Sequence, residues 1–177
     1  MIIKGIVHAH STYSYDGKES LRDLKDFLMA KGVSFCCLTE HTDKMTVETA
    51  QMFVQECKAL SGSQFVFVPG FEVPYKVNTK GREGALGYEK AHILLIGTEV
   101  FLGQHADREM LETWSHASAL TILAHPVRNA FKIDAVMAGV IDGIEIWNQQ
   151  YDGKIVPRTH SLSLFKTEQN KNQNMLA

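Results

Sequence analysis

Short apolar runs alternate with helix-period stretches along this chain, and most of the apolar runs end on a histidine, an acid or an amide. Residues 2–7 lead into His8 and His10, and 34–39 into Glu40 and His41. Residues 65–68 lead through Pro69-Gly70-Phe71 into Glu72, 121–124 into His125, and 143–147 into Asn148. Strands separated by helices specify βα units and a largely parallel sheet. In such folds the carboxyl ends of the strands share one face, and sites are built there. The order of elements therefore brings side chains that are distant in sequence to a common rim.

The helices between the runs carry their own punctuation. Ser20 reads as an N-cap with Asp23 three residues on, followed by a stripe of Leu21, Leu24, Phe27 and Leu28 and closed by Lys31 and Gly32. The second helix spans 46–60, with Val47, Ala50, Phe53, Val54, Cys57 and Leu60 on one face and Gly62 after it. Residues 107–117 read as a helix facing inward through Met110, Leu111, Trp114 and Ala117, and 134–138 as a short one. Pro157 fits the first turn of a last helix carrying Leu162 and Phe165. The polar, glycine-rich stretch 76–89 has no helical period and reads as a loop. His92 opens its run, HILLIG, instead of closing it. A hairpin continuing the Glu72 strand would set His92 across from Glu72, with the fourth strand antiparallel to the third. No linker or repeat divides the 177 residues, so a single domain is expected.

Composition removes several classes of function. The net charge of −2 lacks the basic excess of a nucleic-acid or polybasic membrane surface. No apolar run approaches the roughly 18 residues of a membrane span. The opening MIIKGIV is too short for a signal-peptide core, which makes a cytoplasmic location the expectation. The three cysteines, Cys36, Cys37 and Cys57, are an odd number, and two neighbours on a strand point to opposite sides. They read as buried reduced thiols, not as a disulfide framework. A G-x-S-x-G elbow, a phosphate-binding G-x-x-x-x-G-K-[ST] loop and a strand-to-helix G-x-G-x-x-G are all absent from the sequence. His105, His116 and His160 fall in loop or helical context and read as solvated or structural, as do the acids Asp107, Glu109 and Glu112 around a helix start.

What remains is metal chemistry. His8 and His10, two apart on a strand, project to one side and can grip one cation. A carboxylate such as Glu72 can bridge two cations and lower the repulsion between them. Imidazole mixed with carboxylate suits zinc, iron or manganese better than calcium, which prefers oxygen ligands alone. A single histidine at a strand end is ordinarily a hydrogen-bonded surface residue, but that reading fails for several together.

HAHSTYSYDG, TEHTD, PGFE with the isolated His92, and AHP, in that order, resemble the motifs of the PHP family (polymerase and histidinol phosphatase domains). GIEIWN followed by YDGK is similar to that family's penultimate strand and helix start. The resemblance covers nearly the whole chain. It implies an α/β fold, a distorted (βα)7 TIM-like barrel, with two or three divalent ions (Zn, Mn or Fe) on the C-terminal face. The ligands it implies are His8, His10, Asp16, His41, Glu72, His92 and His125. The family usually closes with an Asp-x-His motif on a final strand, and none follows Asn148 here. The resemblance therefore implies a barrel without its last strand, with the Glu72, His92 and His125 group intact. His8 and His10 would lack their usual carboxylate partner, the site near His41 would lack an imidazole, and a homodimer would cover the open edge.

The expected activity is metal-dependent hydrolysis of phosphate esters, with metal-activated hydroxide attacking phosphorus at a di- or trinuclear site. The substrate class is a phosphorylated small molecule or nucleotide. Arg128 offers a planar fork for phosphate or caps the turn after His125. Asn148 is counted with Arg128 among the substrate-binding residues, orienting a neighbouring group, or serves as a structural amide, and Lys18 and Arg158 are weaker phosphate candidates. The loop 76–89 would form a wall of the pocket. Two other readings stand beside this one: a catalytically impaired metal-binding domain with a structural or partner-binding role, and a metal site acting on amides or phosphodiesters.

Overall fold

The computed structural model describes residues 3–76, 90–107, 109–111, 119–152 and 156–177. The fold is mixed α/β, in two compact units: Met1–Val73 with Leu94–Gln104, and Pro74–Ile93 with His105–Ala177.

In the first unit, β1 (Gly5–Ala9), β2 (Phe35–Leu38) and β4 (Val66–Val68) form a parallel sheet in the order β1-β2-β4. The helices α1 (Leu21–Ala30) and α2 (Val47–Leu60) make the crossovers. Ser20 caps α1 by accepting the Asp23 N–H, and Thr46 caps α2 by accepting the Thr49 N–H. Gly32, at φ 71°, takes the left-handed turn that ends α1. Helix α2 buries Ala50, Phe53, Val54 and Cys57 as its period dictates. Two residues of the expected stripes instead face water: Phe27 is 59% exposed and Val47 53%. Each sits at the margin of its apolar face, where the stripe is wider than the surface it covers.

Two runs that read as single strands are broken, and each break shifts the chain to new partners. The run 35–41 pauses at Thr39 and resumes as β3 (Glu40–His41), which pairs in parallel with β5 (Gly70–Lys76), not with β1 or β4. The run beginning at Val66 pauses at Pro69, which has no N–H to continue a ladder, and resumes as β5. Gly70 admits close backbone approach, for a Cβ there would collide with the Leu95 carbonyl oxygen on β6 (Lys90–Ile96). β5 and β6 are sheet neighbours, as the hairpin reading expects. The described strands fall into two sheets, one of three strands and one of five. The breaks at Thr39 and Pro69 end one set of pairings and begin another. Phe53 of α2 meets Phe71 edge-on at 5.9 Å, and Phe101 meets Phe71 at 5.8 Å, so the residue preceding Glu72 is locked into the core.

The second unit contains the first half of β6 and the parallel pair β7 (Leu120–Ala124) and β8 (Gly143–Ile144), joined through α3 (Ala135–Val140). Asp134 caps α3 by accepting the Val136 and Met137 N–H groups. β8 is shorter than the expected 143–147; just beyond it the Glu145 side chain accepts from the His125 N–H and the Asn148 side-chain amide. The last helix, α5 (Thr159–Lys171), follows the short α4 (Gln149–Asp152). Its cap is Arg158, so Pro157 lies outside the first turn where the sequence reading puts it. Arg158 is held extended by its contacts with the Tyr151 carbonyl and Asp152. The expected open edge beside β8 is partly occupied: Leu176 donates to the Asp142 carbonyl and accepts the Ile144 N–H, with Met175 buried beside it. Of the expected helix 107–117, residues 109–111 are helical, and 108 and 112–117 lie outside the described residues, as do 77–89 of the expected loop. Among the described residues no helix is long and apolar enough to cross a membrane.

Candidate metal centre

Five of the seven expected ligands meet in the first unit. The register of β3 and β5 sets His41 directly beside Glu72, so both side chains leave the sheet on the same side. His8 reaches the same place by a different route from the one its spacing suggests. The β1–β2 register slips between Val7 and Ala9, which makes His8 a bulge residue with φ 65°. A non-glycine residue in that region costs about 1–3 kcal/mol and persists only where its surroundings over-determine it. His10 lies just past the end of β1. The two imidazoles thus share a target through a bulge and a turn, and not through strand alternation.

That target is one carboxylate oxygen. Glu72 Oε2 lies 3.0 Å from His8 Nε2, 3.2 Å from His10 Nε2 and 3.6 Å from His41 Nδ1. On its other side, His41 Nε2 is 3.2 Å from Asp16 Oδ2. The Glu72 side chain is 1% exposed and that of Asp16 42%, so the cluster runs from the interior to the surface. The rings are ordered as well: His41 lies between His10 (4.4 Å, 8° between planes) and Tyr15 (4.7 Å, 13°), and Lys44 covers the tyrosine. Burial lowers the His41 pKa from its ordinary value, opposed by the charges of Glu72 and Asp16. A neutral imidazole is the form that ligates metal.

The loop that carries Asp16 is tight. Ser14 N–H donates to the Ser11 carbonyl and Gly17 N–H to the Ser14 carbonyl. A Cβ on Gly17 would overlap the Ser11 carbonyl oxygen, so the loop closes only with glycine there. Glu40 holds the loop from below. It is fully buried and accepts the Ser11 N–H (2.9 Å), the Ser11 hydroxyl (2.6 Å) and the Ser14 hydroxyl (2.5 Å). Burial raises the Glu40 pKa, and the serine donors oppose that shift. The sequence reading placed Glu40 at a strand end and gave it no role. An acid inside the apolar run CCLTEH was the available signal.

In the second unit, His92 and His125 stand edge to face at 5.1 Å, and Tyr151 lies 4.8 Å from His125. His125 also has positive φ, 25°. Its N–H donates to Glu145 Oε2 at 2.6 Å, and Asn148 Nδ2 donates to Glu145 Oε1. Asn148 therefore orients Glu145, another acid that the sequence reading passed over. Arg128 lies in the 3-10 turn Pro126–Asn129, half-buried, with its N–H on the His125 carbonyl. His105 and His160 are exposed, as expected, and His116 lies outside the described residues.

The donor set fits a divalent ion. Ligand atoms sit about 2.0–2.2 Å from zinc, hence roughly 3.3–3.6 Å from one another around a tetrahedral ion. The nitrogen–oxygen separations on Glu72, 3.0, 3.2 and 3.6 Å, fall at the edge of that range or just below it. The ligand atoms of His8, His10 and Glu72 lie within 4.8 Å of one another, as do those of His10, Asp16 and His41. A model of the PHP domain matches residues 7–175.

The chain belongs to the PHP domain family. No curated protein matches it. PHP domains bind divalent metals and constitute a family of metal-dependent phosphoesterases. The match extends over both units and over the motifs that carry His8, His10, Asp16, His41 and Glu72 in the first of them.

Proposed function

We propose that this PHP-domain protein hydrolyses phosphate esters, with His8, His10, Asp16, His41, Glu72, His92 and His125 as the ligands of two or three divalent ions (Zn, Mn or Fe). The observation that carries the reading is the convergence of three imidazole nitrogens on one buried carboxylate oxygen, at 3.0, 3.2 and 3.6 Å. Such ions, when bound, supply Lewis acidity and activate water at neutral pH. The chain's own part is to hold that chemistry in place. Glu72 places one anionic oxygen among the imidazoles, and burial shifts His41 toward its neutral form. Asp16, the most exposed acid of the group, stands at the solvent side. Arg128 is assigned to the substrate phosphate, where its fork would match two phosphoryl oxygens, and Asn148 to fixing Glu145. The substrate class is a phosphorylated small molecule or nucleotide.

The frame we propose is the family's distorted (βα)7 barrel. The runs 35–41 and 66–76, each of which changes partners part-way along, support that reading.

The test is turnover of p-nitrophenyl phosphate with added manganese. Activity that depends on the ion and is abolished by Glu72→Ala supports the proposal. Cleavage of a phosphodiester or an amide in place of the monoester replaces the substrate class. Bound metal without turnover of any of the three leaves a metal-binding domain without catalysis and refutes the enzyme.

A further inference from the structure

We propose that Ser14, oriented by Glu40, fixes the ring of His10 as the tautomer with its proton on Nδ1, so that Nε2 presents a bare lone pair. Both are positioning residues, acting through His10. The inference rests on the metal reading for its purpose but is tested without it.

A hydroxyl has one proton and two acceptor sites. Ser14 Oγ lies 2.5 Å from Glu40 Oε2, and a carboxylate only accepts, so the hydroxyl proton goes to Glu40. The His41 N–H donates to the same oxygen at 2.8 Å. The remaining contact of Ser14 Oγ is His10 Nδ1 at 3.4 Å. With its proton committed, the hydroxyl can only accept from that nitrogen, so Nδ1 carries hydrogen. His10 Nε2, 3.2 Å from Glu72 Oε2, is then the unprotonated nitrogen. Two electron-rich atoms at that distance repel unless a cation stands with them, so the same network that sets the tautomer prepares the site for an ion. A ligating histidine ordinarily has its second nitrogen held by a carboxylate, a carbonyl or water. Here a serine interposes, and the carboxylate stands behind it.

Glu40 is placed to do this while it holds the loop through Ser11. Its oxygens are taken by Ser11 and Ser14, it is inaccessible to solvent, and it precedes His41 in β3. Replacing it with glutamine would invert the chain of donors. The glutamine oxygen would keep the Ser11 donors, its amide nitrogen would donate to Ser14, and the serine proton would turn to His10 Nδ1, leaving hydrogen on Nε2.

The experiment reads imidazole tautomers by two-bond ¹⁵N–¹H correlation on metal-free protein at about pH 8, above the ordinary imidazole range, with zinc titrated afterwards. Wild type is expected to show His10 with hydrogen on Nδ1. Ser14→Ala should give a mixture of tautomers and bind zinc about 10–100-fold more weakly, while Ser14→Thr, which keeps the hydroxyl, restores both properties. Ser11→Ala removes a donor to Glu40 that does not touch His10, and should leave the tautomer as in wild type. Glu40→Gln should move the hydrogen to Nε2. A wild-type His10 protonated on Nε2, or a tautomer unchanged in both Ser14→Ala and Glu40→Gln, overturns the inference. Failure of wild type to bind zinc would instead refute the metal reading, and the tautomers would still decide the role of Ser14.

Discussion

Gly70→Ala tests how Glu72 is positioned. An added Cβ would collide with the Leu95 carbonyl oxygen and stand 3.0 Å from the Leu38 carbonyl oxygen and 3.2 Å from Ile96 Cα. All three are backbone atoms, so no side chain can rotate away. Relief requires β5 to move from β6 by about 1 Å, judged from ordinary contact distances. Overpacking of this kind costs about 1–3 kcal/mol. At roughly 2–4 °C per kcal/mol for a chain of this size, Tm falls by about 2–12 °C. Glu72 is two residues along the displaced strand, and its contacts to the imidazoles span only 3.0–3.6 Å. Sites that must be held to within about 0.5 Å lose function at such shifts, so zinc affinity should fall about tenfold or more. Thermal melts in chelator and a zinc titration against a chromophoric competitor measure the two effects. Gly62→Ala is the control: nothing lies within 4 Å of its Cβ, and a gain of about 0.4–1 kcal/mol is expected. Gly70→Ala with wild-type Tm and wild-type zinc affinity would refute the reasoning.

Other consequences are as direct. Cys36, Cys37 and Cys57 are buried free thiols; burial pushes Cys36 up to about 12 and raises the other two, so a thiol-reactive disulfide at about pH 8 should label none of them in the native chain and all three once it is denatured. Because the folded state favours the protonated thiols, their contribution is complete below the ordinary thiol pKa of 9.0 and is lost as pH rises from there toward 12, so urea midpoints should fall over that range. Ala130 sits at φ 54°, and Ala130→Gly should stabilise by about 0.5–1 kcal/mol, as should Gly139→Ala in the open interior of α3; a lower Tm in either variant contradicts the backbone assignment. Met175→Ala should cost about 2–5 kcal/mol in denaturant unfolding if the chain's last residues pack beside β8, and nothing measurable if they do not.

The sequence was legible where one physical rule dominated. Ser20, read as an N-cap, caps its helix because its short side chain satisfies an orphan N–H group locally, a signal that needs no tertiary information; Thr46 and Asp134, read only as helix starts, cap theirs in the same way. The meeting of His8, His10, His41 and Glu72 was legible because βα order brings strand ends together, whereas Asp16 was implied only by the family resemblance. The means of convergence was not legible. The bulge at His8 and the change of partners at Thr39 and Pro69 arise from competition between ladders distant in sequence, which no local pattern records. Glu40 and Glu145 were passed over for the same reason: an acid in an apolar run is conspicuous, but its donors, Ser11 with Ser14 and the His125 N–H, come from elsewhere in the chain. Phe27 and Val47 show the converse, since a helical period marks a face but not how much of it a neighbour covers.

X-ray absorption on the protein loaded with one equivalent of zinc measures the ligand shell itself. The expected spectrum has a nitrogen and oxygen shell at about 2.0–2.1 Å with the outer-shell scattering of more than one imidazole, both lost in Glu72→Ala. An oxygen-only shell, or a shell unchanged by that substitution, would mean that the histidines meet around Glu72 without holding an ion.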